Sequence, residues 1–167
     1  APSVSSVNSY DPVQARAMNK SDIRNFRKWH RQAVLRAIQA EFDLVYVYAG
    51  HNLTLLMHFL SRRFNQRSDE YGGSLENRVR LFREVLEETR EVAGDRCAVA
   101  VRFAVDELLG SKGITSENEG REVIEMLAEL PDLWDVNISD WENDSATSRF
   151  EKEGYQESYI SFVKSLT

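Results

Sequence analysis

Asp43-Leu-Val-Tyr-Val-Tyr-Ala-Gly-His51 decides how the rest of the chain is read. Seven residues without charge follow Asp43, rich in Val and Tyr, which is the composition of a strand buried on both faces. Helical patterns flank it, so the strand belongs to an alternating β/α architecture with parallel strands. In such folds the carboxyl ends of the strands carry the chemistry. Tyr48 and His51 fall at that end.

Upstream, residues 1–19 are rich in Ser, Pro and Asn without a period, and they predict an irregular N-terminal segment. A helix is expected from Ser21, its N-cap, with an apolar stripe of Phe26, Trp29, Ala33, Ala37 and Ala40. Downstream comes a short apolar helix from Leu53 to Leu60, then a polar loop from Ser61 to Gly73. Ser74 should cap a long helix to about Val92 that buries Val79, Phe82, Val85, Leu86 and Thr89. Cys97 to Phe103 reads as a second strand, with the charged Arg102 at its carboxyl end. A helix from about Glu117 to Leu130, capped by Ser116, stops before Pro131. Leu133 to Ile138 is a third strand, followed by a polar loop from Ser139 to Gly154 and a last helix from Gln156 to Ser165. The fold class is α/β: three parallel strands alternating with helices.

Composition bounds the function. The 167 residues are 42% hydrophobic, enough for one core, and form one unit without a dividing linker. A net charge of −6 argues against nucleic acid as a partner, because phosphate binding needs a basic surface. No apolar run reaches the ~18 residues of a membrane span, and the first residues lack the basic and apolar regions of a signal peptide. The single Cys97 excludes an internal disulfide framework and suits a reducing cytoplasmic compartment. Closed (β/α)8 barrels run to about 250 residues and rarely below about 200. A barrel reading therefore makes this chain a segment, with open strand edges that need an oligomeric partner or the remainder of the barrel.

From Phe59-Leu-Ser-Arg-Arg-Phe-Asn-Gln-Arg-Ser-Asp-Glu-Tyr-Gly-Gly-Ser-Leu-Glu-Asn-Arg78 the sequence stops being generic. This stretch resembles the signature of the old yellow enzyme family of FMN-dependent TIM-barrel oxidoreductases. Asp43 to Tyr48 with His51, Leu133-Trp-Asp-Val136, and Trp141 through Asp144 to Ser148-Arg149-Phe150 are similar to its trimethylamine and dimethylamine dehydrogenase branch. The resemblance implies that residues 1–167 are a segment of one such barrel, its fourth to sixth strands with neighbouring helices. It also implies FMN as cofactor. In the parent protein it implies a 4Fe–4S cluster, whose ligands are not in this chain. Two positions depart from the pattern. Ala40-Glu41-Phe42-Asp43 lacks the glycine that often follows the alanine, and Asn52-Leu53-Thr54 replaces a common Gly-Tyr-Leu beside His51.

The implied reaction is oxidation of a secondary or tertiary N-methyl amine by hydride transfer to flavin. Tyr48, His51 and Asp144 match the family branch's catalytic triad. In that reading Asp144 orients the imidazole of His51, and His51 hydrogen-bonds the substrate-facing phenol of Tyr48. Trp141 matches a wall of the substrate's aromatic bowl, where cation–π attraction favours tryptophan. Arg102 matches an arginine that contacts the flavin. The residues alone leave other readings open: His51 as a helix cap, Asp144 as a solvated acid, Trp141 as packing, Arg102 as a structural ion pair. His51 and His58 lack further ligands at metal spacing, so no metal site is expected. The electron acceptor is not legible. Rival readings are an NAD(P)H-dependent ene-reductase similar to 2,4-dienoyl-CoA reductase, which Tyr48 argues against, and a non-catalytic barrel fragment.

Overall fold

The structure, a computed structural model, describes residues 1–3, 6–7, 14–141, 143 and 149–167. Its centre is a parallel sheet of β3 (Leu44–Ala49), β4 (Ala98–Asp106) and β5 (Leu133–Ile138), with β4 in the middle. Between and around them run α1 (Lys20–Gln39), α2 (Leu55–Leu60), α3 (Leu75–Ala93), α4 (Glu119–Leu127) and α5 (Glu157–Lys164). A two-residue antiparallel pair, β1 (Ser6–Val7) and β2 (Gln14–Ala15), lies within the segment expected to be irregular. No described helix is long and apolar enough to cross a membrane.

One face of the sheet is the core. Val47, Val99, Val101, Phe103 and Val105 are at most 1% exposed beneath α3 and α4, whose Val79, Phe82, Val85, Leu86, Ile124 and Leu127 close over them. The other face is open: no described element covers it, and Tyr46 is 50% exposed. The expectation that β3 is buried on both faces is corrected here. Its alternate residues 44, 46 and 48 lie on the uncovered side because only one layer of helices is present.

β5 spans the expected residues, and α3 begins at the Ser74 cap, whose Oγ accepts from the Asn77 amide at 3.3 Å. β4 is longer than expected, so Arg102 sits mid-strand rather than at a strand end. Two helix starts also differ. α1 is capped by Asn19, not Ser21: Asn19 Oδ1 accepts from the Asp22 amide at 3.0 Å, and Asp22 Oδ2 accepts from the Asn19 amide at 2.8 Å. Ser116 does not cap α4. Its amide donates to Asp106 Oδ2 at 3.1 Å, and the helix starts at Glu119.

The α1 stripe is corrected as well. Trp29 is 64% exposed, and the helix instead buries Ile23 and Val34 with Phe26 and His30 partly covered. His30 Nε2 donates to Thr89 Oγ1 at 3.0 Å, which lets a polar ring occupy the α1–α3 seam. The acidic residues of α3 are not simply solvated. Glu84 and Glu88 pair with Arg27, and Glu91 with Arg31.

The loop from residue 61 to 78 is a clamp. Arg67 pairs with Asp69 and donates to the carbonyls of Pro2 and Met18, tying the N-terminus down. Asn65 Nδ2 donates to the Phe59 and Tyr71 carbonyls, both at 2.7 Å. A Cβ on Gly72 would lie 2.3 Å from the Arg67 carbonyl oxygen, so only glycine allows this approach. Arg78, 1% exposed, donates to the Leu60 and Gly73 carbonyls and to the Glu119 carboxylate at the start of α4. It pairs with Glu119 and not with the exposed Glu76.

Candidate active site

The open face carries the chemistry-bearing residues. Tyr48, Arg102 and Asp135 stand at one level of the sheet, one from each strand. Tyr46, two residues before Tyr48, lies beside them. The chain then leaves β3 through a turn in which His51 (φ 53°) and Asn52 (φ 56°) are both left-handed, a conformation non-glycine residues rarely adopt. That turn is held from two sides, by the strand-like bridge toward Asp140 and Trp141 and by His58. His51 bridges to Asp140 beyond β5, the Trp141 amide donates to the His51 carbonyl at 3.0 Å, and His58 Nε2 donates to the Asn52 carbonyl at 2.9 Å. Burial pushes the His58 pKa down, which keeps the ring neutral for that role.

The forced turn brings His51 back over Tyr48. The Tyr48 hydroxyl and His51 Nδ1 are hydrogen-bonded, and His51 is only 6% exposed. With a neutral imidazole the phenol donates to Nδ1, and the ring proton then sits on Nε2. Trp141 meets the His51 ring edge-on, centroids 6.2 Å apart and planes at 82°. Tyr46, Tyr48, His51, Arg102, Asp135 and Trp141 line one open hollow of about 460 Å³. Arg102 Nη1 donates to Asp135 Oδ2 at 3.3 Å.

Four of the five residues singled out from the sequence therefore share one hollow: Tyr48, His51, Trp141 and Arg102. The fifth, Asp144, lies outside the described residues. Asp140 is buried nearby, but its Oδ1 accepts from Asn143, at 3.1 Å from the amide and 2.7 Å from the side chain. Tyr46 and Asp135 were missed. Strand alternation could have found Tyr46, since i and i+2 share a face. Asp135 was within reach as a lone charge inside an apolar strand. Among the described residues no group of three His, Cys, Asp or Glu side chains could hold a metal ion.

The sequence matches the NADH:flavin oxidoreductase / NADH oxidase family over residues 3–167. The chain belongs to that family. This is a flavoprotein family that binds FMN, and its barrel accounts for the three parallel strands alternating with helices. Among curated proteins the chain is similar to the dimethylamine dehydrogenase of Hyphomicrobium sp. (strain x), 37% identical over 155 residues, covering 89% of this chain and 21% of that one. Among solved structures it is similar to the 6-hydroxypseudooxynicotine amine oxidase of Pseudomonas geniculata N1, with 54% identity and a TM-score of 0.88. That match covers 93% of this chain and 23% of the other. Histamine dehydrogenase from Rhizobium sp. 4-9 is 48% identical with a TM-score of 0.85, covering 95% and 23%. The chain thus spans less than a quarter of the length of these relatives.

The residues present suit a flavin on the open face. A half-exposed guanidinium, Arg102, stands among aromatic walls on a surface that no described element covers. A planar, partly anionic ring system calls for that donor set.

Proposed function

We propose that this chain forms the fourth to sixth strands of an FMN-dependent barrel enzyme that oxidises an amine at its CH–NH bond. The reading favours a secondary or tertiary N-methyl amine, as in dimethylamine dehydrogenase. The observation that carries it is the Tyr48–His51 hydrogen bond at the rim of a hollow walled by Trp141 and Tyr46. A cation enters such an aromatic hollow favourably, while its oxidation needs a free lone pair on nitrogen.

Trp141 would hold the amine against its ring face. Tyr48 would take a hydrogen bond or proton from the nitrogen, relayed to His51, and Asp144 would orient the imidazole and stabilise its charged form. Arg102 would hold the flavin's electron-rich edge. Bound FMN supplies the two-electron acceptor for a hydride leaving the carbon beside nitrogen, and water then hydrolyses the iminium to an aldehyde and the smaller amine.

The test is anaerobic mixing of the flavin-loaded protein with dimethylamine, trimethylamine or histamine while the flavin absorbance is followed. Bleaching by a methylated amine with release of formaldehyde supports the reading. Bleaching by histamine alone, with ammonia as product, would replace N-demethylation by deamination. Tyr48→Phe should slow amine-driven bleaching by about 10²-fold with the flavin still bound. A second reading, an NAD(P)H-dependent reductase, draws on the NADPH dehydrogenase of Clostridium acetobutylicum, 37% identical over 72% of this chain. Bleaching by NADPH and not by any amine would favour it.

A further inference from the structure

Arg102 and Asp135 are the charged side chains at the level of Tyr48 on the open face of the three strands. Their neighbours on that face are Leu44, Tyr46, Tyr48, Ala98, Ala100, Ala104, Leu133 and Asn137. The two are direct register partners across β4 and β5, with Arg102 Nη1 3.3 Å from Asp135 Oδ2. Asp135 is the less exposed of the two, 28% against 44%. It also lines the hollow with Tyr48, His51 and Trp141, yet it makes no part of the Tyr48–His51 pair.

The arrangement has a physical consequence. A guanidinium whose task is to hold an electron-rich ring acts most strongly alone. A carboxylate at 3.3 Å fixes its direction but cancels part of its field. We propose that Asp135 is a positioning residue that aims Arg102 along the sheet face and limits the positive charge felt by the flavin, so that the bound cofactor is harder to reduce than Arg102 alone would make it. The proposal rests on the flavin reading above. It predicts that Tyr48, Arg102 and Asp135 work as one row, with phenol toward substrate, guanidinium toward cofactor and carboxylate setting the guanidinium.

The experiment compares the flavin-loaded wild-type protein with Asp135→Asn, Asp135→Ser and Asp135→Glu. Two quantities are read: the reduction potential of the bound flavin, by anaerobic equilibration with indicator dyes, and the dissociation constant for sulfite, by loss of flavin absorbance. The neutral variants should move the potential positive and tighten sulfite binding by about tenfold, since one nearby negative charge is removed. Asp135→Glu should stay close to the wild type on both measures. A potential unchanged or shifted negative in whichever neutral variant holds flavin overturns the proposal. So does a result in which only Asp135→Glu holds flavin, because the carboxylate would then serve the fold. A wild-type segment without flavin is a different outcome: it assigns flavin binding to the longer parent protein, in which the same three variants are then compared.

Discussion

The helix-covered face of the sheet is apolar throughout, while the open face mixes apolar residues with Tyr48, Arg102 and Asp135. Two arginines show what each environment needs. Arg78 is 1% exposed in the helix layer and is held by two backbone carbonyls and the Glu119 carboxylate. Arg102 is 44% exposed on the open face and is aimed by Asp135. A buried charge must have partners or it destabilises the fold, while an exposed one can be turned to a ligand at little cost. The covered face holds the chain together, and the open face is left for chemistry.

That division can be broken by substitution. Arg78→Met leaves the Leu60 and Gly73 carbonyls without this donor and Glu119 with only the exposed Arg62 as its ion-pair partner, and should cost about 3 kcal/mol in urea unfolding. Arg102→Met should cost under about 1 kcal/mol in the same measurement. Equal losses would sink the comparison.

A smaller effect sharpens it at the end of β4, where Glu107 is fully buried. Its Oε2 accepts from the Ile114 amide at 2.8 Å, while Oε1 has no hydrogen-bond partner and Arg63 stands 3.9 Å away. Burial raises the Glu107 pKa above its ordinary 4.5. The unfolded carboxyl then ionises at lower pH than the folded one, so the folded state loses stability as pH rises from 4.5 through the folded pKa. Glu107→Gln keeps an acceptor for Ile114 and should raise the unfolding temperature at neutral pH by about 2–4 °C. The gain should vanish below pH 4.5. A gain that persists in acid would mean that packing, not ionisation, is the cause.

The smallest effect concerns Glu41, which ends α1 with φ 58° at the position where the family often has glycine. Glu41→Gly should stabilise by about 0.5–1 kcal/mol, because glycine adopts that conformation without steric cost. Thermal unfolding measures it, and a loss would mean that Glu41 makes a compensating contact.

Much of the fold was legible because its signals are local. β5 and α3 were readable from a hydrophobic run and from a serine cap with a regular apolar period. The α1 stripe was misread because His30 looks polar yet is satisfied by Thr89, a residue of another helix. The caps of α1 and α4 were each misplaced by two residues: at α1 Asn19 wins over the neighbouring Ser21, and at α4 no side chain caps the helix.

The sequence by itself determined the order of strands and helices, and its resemblance to a family singled out Tyr48, His51, Trp141 and Arg102 at the site. Residue type and spacing are properties of the chain alone. Only the tertiary structure decided that consecutive left-handed residues fold His51 back over Tyr48, that Arg102 stands mid-strand, and that Asp135 faces it. The physical reason is register. Which side chains share a level across parallel strands depends on how separate segments slide against one another, and no single segment carries that information.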